Sequence, residues 1–336
     1  MADTFATSFG VLNYSGALFN KGNTKTPLSS AIGGRVKTTN HVEFVTGQEY
    51  TGGGSGSQPA ISETASLTAP DATVVTRTQK TNVTQIFHES VGISYAKQSN
   101  MGTLSGVNIA NQQANPIGEL DFQVAAKLQK VRRDIEYTFI NGVYNKATSD
   151  ATVNKTRGLV SAITSNVVAM GSKPLGLWDV ADGMKKVYEA NAPIDRLVLW
   201  CDAVTLFQLN ADAVNNKLTI VPAARNVNGI QLSSLVTPLG TVYLYLGECL
   251  PAGTALLLDL DVISPVYQPV PGKGNFFLEP LAKTGAGEKY QLFGQIGLDH
   301  GPEWYHAKFT GISTTFTAPG ADSGTSQGSS GGGQGT

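Results

Sequence analysis

The chain has 336 residues, 41% of them hydrophobic, with 24 Lys and Arg against 25 Asp and Glu and a formal net charge of −1. That length suggests about two compact units with an ample core, and near-cancelling charge disfavours a phosphate-neutralising arm and favours self-association. No apolar run approaches the roughly 18 residues of a membrane helix. No basic-then-apolar leader opens the chain, and the two cysteines, Cys201 and Cys249, are too few for a disulfide framework and fit a reducing compartment.

The first third is rich in Thr and Gly and poor in charge. Two stretches alternate with period two: His41-Val42-Glu43-Phe44-Val45, and Thr73 to Arg77, which resumes through Val83, Gln85, Phe87, Glu89, Val91, Ile93 and Tyr95. Such patterns predict strands. Between them lies Thr51-Gly52-Gly53-Gly54-Ser55-Gly56-Ser57, a tip with no reason to fold on itself. The reading is a long two-stranded arm. A ribbon of this kind is marginal alone in water, so it needs a surface to lie on, and a neighbouring subunit is one candidate. The sequons at Asn13, Asn82 and Asn154 carry little weight without a secretory leader.

At Asn115-Pro116 the character changes, with an N-cap residue followed by one that needs no N–H. From 119 to 146, Leu120, Val124, Leu128, Val131, Ile135 and Phe139 form one apolar stripe, widened by Phe122, Tyr137, Ile140 and Tyr144. Lys130–Asp134 and Arg132–Glu136 are spaced i,i+4 and are expected on the outer face. A helix of about 28 residues spans on the order of 42 Å, a strut rather than an average helix. Residues 175–190 predict a second amphipathic helix, ended by Pro193. Residues 196–201 predict a buried strand, after which Asp202 caps a helix through Leu206 and Leu209. Strands follow at 241–246, 254–260, 290–298 and 303–312, making a mixed α/β unit. The Gly/Ser-rich segment 319–336 predicts disorder.

Candidates for chemistry are few. His300, Glu303 and His306 are the best metal set, yet on a strand the histidines would stand about 20 Å apart, unless the chain bends at Gly301-Pro302. Asp259 and Asp261 could share a face, but no histidine, nucleophile or phosphate loop accompanies them. Cys201 and Cys249 each close an apolar strand, lack a CxxC or a neighbouring His, and read as buried thiols that could be neighbours in one sheet. His41 and His88 fall in the extended arm, where solvated or interface roles are expected. A GxSxG match at Gly328-Ser329-Ser330-Gly331-Gly332 sits in low-complexity sequence without a strand before it or a helix after it. No cofactor, metal or catalytic residue is expected.

The order of extended arm, Gly-tipped hairpin, long charged helix and α/β unit resembles the major capsid protein of tailed bacteriophages. Thr76-Arg77-Thr78-Gln79 with Thr84-Gln85-Ile86-Phe87, Gly118-Glu119-Leu120-Asp121-Phe122-Gln123, Lys130 to Glu136, and Thr156-Arg157-Gly158-Leu159 with Thr164-Ser165-Asn166 are similar to the SU-ten-type head-protein family over residues 70–170. The resemblance implies an α+β Hong Kong 97-type fold. Its parts are an N-terminal arm (1–40), an E-loop hairpin (41–95), a P-domain with a spine helix (96–170, helix 115–146), an α/β A-domain (171–285), return strands of the P-domain (286–318) and a tail (319–336).

It further implies a subunit of hexamers and pentamers in a virion shell, made in the host cytoplasm. The expected partners are scaffolding, portal and decoration proteins and packaged double-stranded DNA held non-specifically, with no membrane. Family shells form as precursors that expand as the genome is packed. The roughly 40 residues before the hairpin are too few for a large fused scaffolding domain, so a separate scaffold or none is expected, and a tip without lysine argues against cross-linking there. The intersubunit candidates are residues Thr51 to Ser57 of the tip, together with Arg77, Arg132, Arg133 and Glu136. Three readings compete: a tail-tube or decoration protein, a receptor-binding module and a metal-assisted hydrolase. The first does not need the long strut, the second would be nearly all β, and the third would need the carboxylate or histidine groups.

Overall fold

The computed structural model describes residues 26–51, 58–72, 74, 76–96, 119–215, 221–227 and 230–316. The expectations for the hairpin tip at 52–57, the helix start at Asn115-Pro116 and the tail from 319 lie outside the described residues.

The core of the molecule is a seven-stranded sheet, ordered β5 (Val167–Ala169), β14 (Ala307–Thr310), β10 (Thr254–Asp259), β6 (Leu197–Cys201), β9 (Gly240–Leu246), β8 (Ile230–Thr237), β7 (Val221–Val227). Its central strands β6 and β10 are buried at every position, and β6 is apolar throughout, because both faces are covered. On β6 and β10, Leu197, Leu199, Cys201, Ala255 and Leu257 point to one cluster, and Val198, Trp200, Leu256 and Leu258 to the other. Helix α5 (Leu177–Glu189) covers the first face through Val180, Met184 and Val187. Gly183 lets that helix approach β14: a Cβ there would stand 2.5 Å from Phe309 Cζ. Helix α6 (Ala203–Asn215) begins as expected, with Asp202 Oδ1 accepting the Thr205 N–H at 2.8 Å.

The second sheet has five strands in the order β1 (Lys37–Thr38), β11 (Ser264–Tyr267), β13 (Gly287–Asp299), β12 (Phe276–Pro280), with β4 (Gln85–Ser94) also paired to β13. Helix α3 (Glu119–Asn141, 23 residues) packs along β4. Its far end joins the second face of the large sheet, where Phe139 and Ile140 meet Trp200 and Leu258. Two short helices, α1 (Pro27–Ile32) and α4 (Leu159–Ala162), complete that cluster with Leu28, Ile32 and Leu159.

Several expectations need correction. The strut ends at Asn141, not at residue 146, so the described part is about 35 Å long. Within its stripe Val131 and Phe139 are buried while Leu128 and Ile135 are only half-buried. The stretch expected as one arm strand breaks at Thr84, whose N–H turns to the Val42 carbonyl at 2.8 Å. Only the part before the break, β3 (Thr76–Val83), pairs with β2 (Glu43–Thr51); β4 pairs with β13 over Gln85 to Ser94. Sheet membership also crosses the expected domain limits. β11 and β12 belong with β13, and β5 and β14 with the large sheet. Finally, 303–312 is not a single strand but a 3-10 turn (Glu303–Tyr305) leading into β14.

Candidate intersubunit surface

The β2–β3 ribbon is anchored at its base and bare beyond it. At the base, Asn82 is fully buried and donates to the Leu298 carbonyl at 2.7 Å and the Arg157 carbonyl at 3.1 Å, which makes that sequon inaccessible to a glycan. Phe44 lies against Gly297, and Gly47 against Pro302. Glu43 receives Lys146 Nζ at 2.5 Å and the Thr81 hydroxyl at 2.8 Å, and those hydrogen bonds hold its carboxyl below the ordinary carboxylate range. Lys80 reaches Glu303 at 3.7 Å. The register slips between Val45 and Gly47, a bulge that turns the buried Thr46 hydroxyl onto the Lys80 carbonyl at 3.2 Å.

Beyond Gly47, the described residues between the two ribbon strands lie at the surface. The four-residue helix α2 (Glu63–Ser66), capped by Ser62 Oγ on the Ala65 N–H at 3.1 Å, buries no residue. Every residue from 58 to 72 is exposed, and Ile61, Leu67 and Val74 show 70%, 85% and 86% of their surface. These apolar side chains stand in water on the segment that joins the two ribbon strands. Thr51 ends β2 at this outer end, opposite Thr76, with Arg77 beside it and exposed; Gly52 to Ser57 lie outside the described residues.

The spine-helix candidates divide. Arg132 and Arg133 are exposed. Glu136 is fully buried and points inward, which removes it from the intersubunit set and from the expected pair with Arg132. Its Oε1 accepts the Leu28 N–H at 2.7 Å, and its Oε2 accepts the Ser29 N–H at 2.8 Å and the Ser29 hydroxyl at 2.5 Å. The carboxylate thus caps α1 and clamps the N-terminal segment onto the strut. Burial raises its pKa, with the hydrogen bonds opposing. A different pair of charges lies on the neighbouring turns: Lys127, at 2.9 Å, and Lys130 both bind Glu89 of β4. Burial pushes the Glu89 carboxyl up, but the two lysine hydrogen bonds prevail and hold it below its ordinary value. Periodicity identified this helix; its inward carboxylate carried no sequence signal, since Glu136 has the i,i+4 spacing of a surface pair.

The residues weighed for chemistry are engaged in separate structural contacts or stand apart. Asp259 is buried and accepts the Asp261 N–H at 2.9 Å, while Asp261 is neutralised by Arg35 and by Arg196 at 3.0 Å. Cys201 is buried in β6, its thiol pushed up to about 12 by burial, and Cys249 lies outside the strands at φ 62°, so the two do not neighbour each other in one sheet. His41 closes a local turn with Glu43, and His88 is exposed with its Nε2 3.3 Å from Gln291. His300 and His306 come together because the chain does bend, yet no group of His, Cys, Asp and Glu among the described residues could hold a metal.

A body with two sheets, a spanning helix and a projecting ribbon is the α+β Hong Kong 97-type capsid fold. The chain is similar to the cyanophage A-1(L) capsid subunit, with 12% identity, a TM-score of 0.61 and coverage of 88% of this chain and 94% of that one. It is also similar to a subunit of the holo-SrpI encapsulin complex of Synechococcus elongatus PCC 7942, at 12% identity and TM-score 0.59, covering 94% and 95%. A subunit of Mycobacterium phage Adephagia matches at 12% identity and TM-score 0.53, covering 91% and 95%. No curated protein matches the chain. The family profile described as SU10 major capsid protein matches residues 1–313, and the chain belongs to that family. It is a major capsid protein of a tailed phage, a structural component of the virion shell built from many copies, and this family does not favour the tail-tube or decoration reading.

Proposed function

We propose that the subunit forms hexamers and pentamers that close into an icosahedral or prolate head around double-stranded DNA, with the β2–β3 ribbon lying over the adjacent subunit. The observation that carries this reading is the ribbon itself, tied down at Glu43, Phe44, Gly47 and Lys80 yet exposing Ile61, Leu67 and Val74. Heterologous contacts of this kind, repeated by rotation, close into rings and shells. Thr51 to Ser57, Arg77, Arg132 and Arg133 are the proposed intersubunit contacts. The protein acts structurally, without catalysis. Scaffolding, portal and decoration proteins and non-specifically held DNA complete its partners, and it is made in the host cytoplasm.

The test is deletion of residues 52–57, followed by electron microscopy and sedimentation. The variant is expected to keep the wild-type unfolding midpoint while closed shells are lost, because the described residues that follow the deletion, 58–72, are all exposed. Shells formed at the wild-type yield would remove the ribbon from the intersubunit clasp.

A further inference from the structure

The chain passes between the two sheets twice at one small junction. The first crossing runs from the end of β10 at Asp259 to the start of β11 at Ser264, and the second from the end of β13 at Asp299 to the start of β14 at Ala307. His300 and His306 bracket the second crossing and are buried, at 2% and 0% exposure. His306 ties one crossing to the other. Its Nδ1 accepts the Asp259 backbone N–H at 3.2 Å, and its Nε2 lies 2.8 Å from the His300 carbonyl oxygen. A backbone donor on one ring nitrogen and a carbonyl on the other require the neutral tautomer protonated at Nε2. Among the described residues, His300 beside it has no hydrogen-bond partner for either ring nitrogen. The turn is tight: Gly301 sits at φ +64°, and a Cβ there would meet Val262 at 2.9 Å.

The charged groups around the junction are already engaged. Asp299 accepts Lys37 at 2.6 Å and the Gly301 N–H at 3.0 Å. Glu303 accepts the Thr164 N–H at 3.0 Å and pairs with Lys80. Asp259 and Asp261 hold each other and the two arginines Arg35 and Arg196 as described above. Lys308 donates to the Val160 carbonyl at 2.8 Å, and the Arg157 charge acts on His300 in the sense that opposes protonation. No carboxylate among the described residues is hydrogen-bonded to either imidazole ring; the Asp299 and Glu303 charges favour a proton on His300, but burial outweighs them.

We infer that this junction is an acid-sensitive coupling between the two sheets. Protonation turns His306 Nδ1 from an acceptor into a donor facing the Asp259 N–H, and the β10–β11 crossing separates from the β13–β14 crossing while each sheet keeps its own ladder. Burial lowers His300 and pulls His306 down to about 4 from its ordinary 6.5. The unfolded or opened chain therefore binds more protons than the closed junction. The coupling is complete above about pH 6.5 and weakens as pH falls towards about 4.

Because the junction lies within one subunit, its test is indifferent to shell assembly. Amide hydrogen exchange of the full-length chain is compared at about pH 7.5 and about pH 4.5, corrected for the intrinsic pH dependence of exchange, for wild type and His306→Gln. In wild type the amides of Asp259 and residues 300–306 should lose roughly tenfold or more of their protection on acidification, while those within β6 and the centre of β13 keep theirs. In H306Q, where only His300 of the pair still titrates, the acid-dependent loss should shrink severalfold. Unchanged wild-type protection, or the same acid loss in H306Q, overturns the proposal. Nitrogen-15 histidine spectra of the wild-type chain provide a second reading should H306Q misfold. A neutral Nε2–H tautomer that titrates well below 6.5 is expected, and an Nδ1–H tautomer or a midpoint at the ordinary value contradicts it.

Discussion

The large sheet and the β2–β3 ribbon are built from the same kind of sequence, short runs rich in Val, Thr and aromatic residues, yet they have opposite relations to the subunit. Along β6 all five residues are buried, because α5 covers one face and the strut end with α1 and α4 covers the other. Along the ribbon, burial ends within a few residues of the body, and Leu67 stands almost wholly in water. Strand formation is thus a weak indicator of where stability resides. A strand contributes to the fold when its side chains find partners, and residues 58–72 between the ribbon strands bury none of theirs in this chain.

Substitutions sharpen this contrast. The largest effect belongs to the sheet. Phe309→Ala removes a fully buried ring set against Gly183 and should cost about 3–5 kcal/mol, measured by denaturant unfolding of the subunit. An intermediate effect is expected at the clamp between strut and N-terminal segment. Glu136→Ala leaves the Leu28 and Ser29 N–H groups without their acceptor and should cost about 1–3 kcal/mol, with faster tryptic cleavage after Arg35 and Lys37. Its sign with pH can also be worked out. A buried carboxyl raised above 4.5 contributes fully below that value and loses its contribution as pH rises through its raised pKa, so the deficit of E136A should shrink with rising pH. This is opposite in direction to the histidine junction. The smallest effect on stability is at the ribbon: Leu67→Ser should change unfolding by no more than about 0.5 kcal/mol. Its shell yield, counted in micrographs, should nevertheless fall. A destabilised subunit with normal shells would reverse the comparison.

The elements whose residues speak for themselves were legible in the sequence. The heptad-like recurrence from Leu120 to Phe139 marked the strut, five apolar residues in a row marked β6, and Asp202 marked the start of α6. What failed did so where the deciding partner is distant. Glu136 read as a surface charge because Arg132 precedes it by one turn, but its true partners are Leu28 and Ser29, 108 and 107 residues away in sequence. β4 read as the ribbon's continuation because alternation is blind to which strand lies alongside; only its ladder with β13 assigns it to the body. His300 and His306 read as far apart on a strand, and the turn over Glu303–Tyr305 brought them together.

By itself, then, the amino-acid sequence determined local matters: the strongly periodic helices and the most apolar strands, that no disulfide framework is present, and, through its family motifs, that this is a shell subunit. These follow from periodicity, turn chemistry and composition, which are properties of near neighbours. Tertiary structure alone decided which strand joins which sheet, which charge turns inward to cap α1, and that two crossings meet at one buried imidazole. Each of those depends on burial and on hydrogen bonds between residues far apart in the chain, and desolvation makes such bonds obligatory once the groups are enclosed.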